Sequence, residues 1–286
     1  MKTFFYLIEY LIIKLFFFIF LIFGYKISSN LGFIIGKYLG PIFRSKKLII
    51  DNLKKAGIDL NQNLEASALE VLGNYGRIFA EYPFIKSFHS GNLDKFIEIE
   101  GTKYLQEIKN KNKQVVFISG HFNNFELMAM QIEKSGIDLS AIYRPLNNPY
   151  INKTMEDIRI KYICKKQIKK GRSGTRQIIE NLKKGSSIAL MIDQRVREGI
   201  KVNFFGDAAS TTTIPAQLVK KYNCELVPIF IERINKYYFK MYISKPIKVG
   251  KNKSIDDITL FLNSVLEKMI LKNPLQWIWT HDRWKK

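Results

Sequence analysis

The first stretch of the chain has no alternation of apolar and polar positions. Residues 3–24 read TFFYLIEYLIIKLFFFIFLIFG, with only Glu9 and Lys14 as charges. A helix of about 20 apolar residues matches the thickness of a hydrocarbon core. The segment is therefore predicted to be a membrane-spanning or deeply embedded anchor, with an interfacial helix as the competing reading. No small-residue cleavage site follows it, unlike a secretory signal. A lysine in mid-span costs roughly 2.5–3.5 kcal/mol, and the surrounding Phe, Leu and Ile side chains offset that. Lys2 precedes the run, whereas Lys26, Lys37, Arg44, Lys46 and Lys47 follow it, so the positive-inside rule places the body of the chain in the cytoplasm. Residues 28–47, which include LGFIIGKYLGPIF, are too broken by glycine for a second span. They are expected as a helix lying on the membrane or on the domain.

The period then changes. Across 48–87, apolar residues recur at three- and four-residue spacing: Leu48, Ile49, Leu53, then Leu64, Ala68, Leu69, Leu72, Tyr75 and Ile78. That spacing predicts helix, ended by Pro83. Residues 96–101 alternate as a short strand and 102–109 continue as helix. From 114 onward the pattern is strand, turn, helix, repeated. Strands are predicted at 114–119, 139–143, 187–192, 225–231 and 238–244, and helices at 125–134, 149–162, 174–183, 214–221 and 255–271. This alternation implies an α/β fold, a mixed and mostly parallel sheet flanked by helices. Three segments result: an anchor over 1–24, a helical membrane-proximal segment over 25–95 and an α/β core over 96–286.

Composition narrows the partners. With 46 basic against 25 acidic residues, the 286-residue chain has a formal charge of +21. Such a balance points to an anionic partner: nucleic acid, anionic lipid, a phosphorylated substrate or an acidic protein. Part of the lysine content is also attributable to the base composition of the genome. Nucleic acid is disfavoured because the lysines are scattered, while the aromatics concentrate in the anchor and near the C-terminus. Cys164 and Cys224 lie in no paired motif, so both are read as buried apolar residues in a reducing compartment.

The candidate chemistry centres on VVFISGHFNNFELMAM, residues 115–130. A strand ends at Ser119-Gly120, His121 follows, and Glu126 comes at the start of a helix. Five helical positions amount to roughly 500° of rotation, so the two side chains meet only if His121 sits in the preceding turn. Gly120 permits a tight turn and Asn123 or Asn124 is placed to cap the helix. His121 and Glu126 are then a general base and its orienting partner, beside N–H groups suited to a phosphate or oxyanion. The ordinary alternative is a surface histidine near a helix start. Further strand ends supply Arg144, in AIYRPLNNP, and Asp193 with Gln194, in IALMIDQR. Arg144 suits an anion and Asp193 an arginine partner, an acceptor contact or a cap. Arg159 on the intervening helix and Arg172 in the loop after it are further phosphate candidates, whereas Lys161, Lys165, Lys166, Lys169 and Lys170 read as a solvated basic face. The Phe-Phe-Gly loop in VNFFG is a candidate wall for an acyl chain. The run QWIWTHDRW is expected to pack across the sheet or to sit at the membrane interface, with His281 a minor candidate. HExxH, CxxC, G-x-S-x-G and the phosphate-binding G-x-x-x-x-G-K-[ST] are all absent, so no metal and no nucleotide cofactor are expected.

Taken in order, the apolar anchor, GHFNNFE, YRPLNNP, DQR with VNFFG and a Thr-Pro-Ala helix, and QWIWTHDRW resemble the lipid A late acyltransferases. That family is the lauroyl/myristoyl branch of the wider lysophospholipid acyltransferase superfamily. The resemblance spans essentially the whole chain, with GHFNNFE in place of the family's H-x4-D/E. It implies acyl transfer from acyl carrier protein to a hydroxyl of a lipid A precursor at the bacterial inner membrane, on its cytoplasmic side. Carried over, His121 and Glu126 are the catalytic pair, with roles also for Arg159 and Asp193. Arg195 departs from the family pattern and leaves the acceptor contacts of its loop open. The alternatives are a related acyltransferase acting on a lysophospholipid or another glycolipid and, more distantly, a membrane-anchored nucleic-acid-binding protein.

Overall fold

A computed structural model describes residues 2–58 and 63–285, except the side chain of Arg172. The apolar N-terminus forms one long helix, α1 (Lys2–Phe43), bent at Gly24, whose φ of 73° is open to glycine. Two helices follow: α2 (Lys46–Lys55), capped by the Ser45 side chain, and α3 (Leu64–Glu81), capped by Asn63. The glycines that argue against a second span have a packing role. A Cβ on Gly32, Gly36 or Gly76 would lie within 2.5 Å of backbone on the facing helix. The second half of α1 and α3 therefore touch backbone to backbone, a small-residue contact of the kind that joins helices in membranes.

A short helix, α4 (Ile85–His89), leads into the core. The core elements are β1 (Ile97–Glu100), α5 (Thr102–Asn110), β2 (Val115–Ser119), α6 (Glu126–Lys134), β3 (Leu139–Tyr143), α7 (Pro149–Tyr162), β4 (Lys166–Lys169), α8 (Arg172–Lys183) and β5 (Ser187–Met191). A hairpin of β6 (Ile200–Phe204) and β7 (Asp207–Thr211) stands apart from the main sheet. Then come α9 (Ile214–Tyr222), β8 (Glu225–Asn235), β9 (Tyr238–Ile243) and α10 (Ile255–Lys272).

The main sheet has seven strands in the order β1-β9-β8-β2-β5-β3-β4, and only the β8–β9 pair is antiparallel. This is the mixed, mostly parallel sheet that the alternation predicts. Strand β2 lies at its centre and all five of its residues are buried, as a parallel strand covered on both faces requires. The sequence reading misses three strands. KQIK, read as part of a basic face, is the edge strand β4, and exposed lysines are common protection for an edge. The β6–β7 hairpin is missed although IKVNF of β6 alternates strictly; its partner β7, DAAST, has little strand character.

The C-terminal run packs inward. Trp277, Trp279 and Trp284 are buried, so its tryptophans lie under the fold and not at a membrane interface. The Asn52 amide of α2 donates to the carbonyls of Trp279 and His281 at 2.9 and 3.1 Å, and buried Arg283 donates to Ser210 O and Thr211 Oγ1, both at 2.7 Å. Phe204 of VNFFG packs on Trp277 and Trp284. Neither it nor Phe205 lines the cleft described below, so this loop supports the tail and does not form a wall of that cleft. Cys164 and Cys224 are buried and unbridged.

Candidate active site

Strand register builds the centre of the site. Strands β2 and β5 are parallel neighbours with Ser119 opposite Met191. Two residues beyond each lie His121 and Asp193, so the two turns emerge side by side. Asp193 is fully buried. It accepts from the His121 backbone N–H at 2.6 Å, from His121 Nδ1 at 2.8 Å and from Trp277 Nε1 at 2.9 Å. Gly120 makes the approach possible, since a Cβ there would meet Asp193 Oδ2 at 3.1 Å and Leu266 and Phe122 at 2.9 Å. Asn123 holds the turn in the left-handed region, φ 42°, and its amide donates to Gln276 Oε1 at 2.6 Å. Phe125 packs edge-on against the imidazole, with ring centroids 4.8 Å apart.

Electrostatics follow from this pairing. Burial alone would lower the pKa of His121, but the Asp193 charge and hydrogen bond reverse the shift and leave it above its ordinary value. For Asp193, burial alone would raise the pKa. The imidazole and the three N–H donors outweigh it and hold the carboxyl below the usual range. With Nδ1 tied to the carboxylate, Nε2 is the nitrogen left to exchange a proton, and it has no protein partner among the described residues.

The expected partnership of His121 with Glu126 is not the one the fold makes. Glu126 Oε1 accepts from Arg159 Nε at 2.8 Å and from Arg159 Nη2 at 2.6 Å, and the Tyr82 hydroxyl lies 3.5 Å away. Asp193, in turn, pairs with the histidine. Capping also differs from expectation. Helix α6 begins at Glu126 with no side-chain cap; the Leu127 and Met128 N–H groups donate instead to the backbone carbonyls of Asn124 and Phe125, both at 3.1 Å. The Asn124 amide instead donates to Glu81 Oε2 at 3.4 Å, and its buried Oδ1 has no partner.

These groups line a cleft of about 580 Å³. Its floor is apolar, with Phe117, Met128, Ala189 and Ile229, and its polar lining includes His121, Glu126, Arg159 and Gln194. Tyr143 lies opposite Lys169 across β3–β4. One residue further on, Arg144 and Lys170 both reach the cleft, and Arg44 reaches it from the end of α1. Arg144 is exposed and makes no ion pair among the described residues. A smaller, almost wholly apolar pocket of about 200 Å³ adjoins His121 and Phe125 under Val71, Ile78 and Trp277. His281 also lines the cleft. Its Nε2 accepts from the Arg195 backbone N–H at 2.9 Å and burial lowers its pKa, so this nitrogen is not available as a second base. Arg172 opens α8, and its side chain lies outside the described residues.

Sequence reasoning missed two supporting residues. Trp277 holds Asp193 from the far end of the chain, and only the density of tryptophans in QWIWTHDRW hints at it. Glu81 is fully buried and receives Arg233 Nη1 and Nη2 at 2.7 and 3.0 Å and Ser29 Oγ at 2.7 Å. Nothing in its sequence neighbourhood marks it.

A hydrogen-bonded His–Asp pair at the carboxyl ends of parallel strands, beside a cleft with an apolar floor and cationic side chains in its lining, is an arrangement able to exchange a proton. The model of the bacterial lipid A biosynthesis acyltransferase family matches residues 2–286, and the chain belongs to that family. It is 24% identical over 271 residues to a lipid A biosynthesis palmitoleoyltransferase of Escherichia coli, covering 91% of this chain and 86% of that one. It is 27% identical over 201 residues to the lipid A biosynthesis lauroyltransferase of the same organism, covering 68% and 63%. A lipid A biosynthesis acyltransferase of Haemophilus influenzae is 25% identical over 243 residues, covering 82% and 75%.

Proposed function

We propose that the protein transfers a fatty acyl group from acyl carrier protein to a hydroxyl of a lipid A precursor at the bacterial inner membrane, with His121 as general base. The observation that carries this reading is the His121–Asp193 pair at the mouth of a cleft with an apolar floor, in a chain of this family. The acceptor hydroxyl gives its proton to His121 Nε2 as its oxygen attacks the thioester carbonyl. Asp193 holds the Nδ1 tautomer and stabilises the imidazolium that forms. The tetrahedral oxyanion is met by the Arg159 guanidinium, which Glu126 fixes in place. Collapse expels the carrier thiolate, and the imidazolium returns the proton to it. Glu126 thus acts through Arg159, while Arg144, with Lys170 and Arg44, suits the phosphates of the acceptor and the acidic carrier.

The test is a purified assay with acyl carrier protein thioesters and a phosphorylated lipid A precursor. His121→Ala is expected to lose roughly 10²–10⁴-fold in kcat with an unchanged unfolding profile. Turnover by that variant at wild-type rate sinks the mechanism. Mass spectrometry of lipid A from a deletion strain reads the mass of the acyl chain transferred.

A further inference from the structure

Helix α1 is apolar enough to cross a membrane, yet its contacts run along the catalytic domain from one end to the other. Near its start, the Asn148 amide donates to Tyr6 O and Glu9 Oε2, both at 2.8 Å, and Tyr10 meets Tyr150 with ring centroids 5.9 Å apart. Further on, Phe17 and Phe20 pack on Phe79. Past the bend, Tyr25 donates to Tyr237 O at 2.8 Å and Gly32 and Gly36 meet α3. At the far end, Arg44 lines the cleft. Leu146 and Asn147, just before the Asn148 that binds Tyr6, line the same cleft. Residues next to both ends of the helix therefore line one cleft.

A transverse span conflicts with this placement. If residues 3–24 crossed the bilayer with the body in the cytoplasm, Tyr6 would lie near the far interface. Asn148 would be there too, along with Lys153 and Asp157 about one and a half and two and a half turns further along α7, whose side chains are 72% and 58% exposed. From Tyr6 to Phe20 alone the helix rises about 21 Å, so the domain would have to be sunk through most of a hydrocarbon core of about 30 Å. Lys14 is exposed and unpaired by any carboxylate among the described residues, and in a transverse helix it would face the middle of the core. The exposed apolar surface also continues past the first half of the helix. Exposed residues run from Phe4 and Phe5 through Phe18 and Ile22 to Ile34, Ile42 and Phe43. Exposed apolar surface therefore continues on both sides of the bend at Gly24 and is not confined to residues 3–24.

We propose that α1 lies within one leaflet and that the N-terminus is on the same side of the membrane as the catalytic domain. Its exposed apolar face contacts the acyl chains of that leaflet. Lys2, Lys14, Lys26 and Lys37 reach its headgroups. The cleft opens beside the helix at headgroup level, so a lipid acceptor reaches His121 sideways, without leaving its leaflet. This inference rests on the membrane reading given under the proposed function.

The experiment places single cysteines at Lys2→Cys and Lys153→Cys in the full-length protein, where native Cys164 and Cys224 are buried. A membrane-impermeant maleimide is applied to spheroplasts and to inverted inner-membrane vesicles. Both variants are expected to label in inverted vesicles and neither in spheroplasts. Labelling of Lys2→Cys in spheroplasts with Lys153→Cys labelled only in inverted vesicles overturns the inference. If the Lys2→Cys thiol is masked in both preparations, the Tyr10→Cys/Tyr150→Cys pair decides. An intramolecular crosslink in native membranes supports the inference, and its absence overturns it. Opposite-side labelling with acyl transfer intact removes the topology alone. A wild-type protein that fails to float with anionic phospholipid vesicles removes the membrane reading, and the topology with it.

Discussion

At the scale of single residues, the site depends on one carboxylate with three donors. Asp193→Asn keeps the shape but removes the charge that holds His121 above its ordinary pKa. A base must be unprotonated to act, so wild-type kcat/KM is expected to rise with pH through a value above 6.5, the ordinary value for histidine. In Asp193→Asn the main causes that raise it are gone, and burial, the largest influence on the imidazole, lowers that pKa. The rising limb should move to lower pH while the plateau falls roughly 10²-fold or more. A pH–rate profile checks both, and a limb that does not move would separate Asp193 from His121 function. Trp277→Phe removes one hydrogen bond to a buried charge, and loss of a charge-assisted bond costs about 1.5–3 kcal/mol. Chemical denaturation is expected to read that loss.

At the scale of elements, Glu81 joins four parts of the fold. Ser29 of α1, Arg233 of β8 and Asn124 of the catalytic turn all donate to this carboxylate on α3. Removing one partner of such a pair leaves the other charged and buried, which costs about 3–5 kcal/mol. Glu81→Ala is thus expected to lower the unfolding midpoint in detergent, and Glu81→Ala/Arg233→Met to recover part of it. A double variant as unstable as the single one would show that the pair does not carry the effect. The helix contact is tested at Gly76, where an added Cβ would stand 1.9 Å from Gly32 O. Gly76→Ala should push α1 and α3 apart and cost about 1–3 kcal/mol, measured by thermal unfolding.

At the scale of the whole molecule, α1 is part of the domain and its second half is also exposed and apolar. A variant lacking residues 1–24 keeps Ile27, Ile34, Leu39, Ile42 and Phe43 on its surface. It is expected to stay partly bound to anionic vesicles, and sedimentation that falls with added salt would report the cationic share. Complete release in low salt would show that only the first half holds the membrane.

Much of the architecture was legible from period alone, because local pattern fixes where strands and helices begin. AIYRPLNNP and IALMIDQR each place a polar residue after an apolar run, and Arg144 and Asp193 do lie at strand ends beside the cleft. GHFNNFE marked the central turn, since His, Asn and Gly in succession are poor helix and strand formers. The partner of His121 was not legible. His121 and Asp193 are 72 residues apart and meet only because β2 and β5 are neighbours in register, whereas Glu126, five residues away, points to an arginine brought in by α7. The same holds for the anchor. Composition determined that residues 3–24 are apolar enough for a membrane. Only tertiary packing, through Asn148, Phe79 and the glycines facing α3, decided which side of that helix is left exposed, because a sequence records how apolar a segment is and not what already covers it.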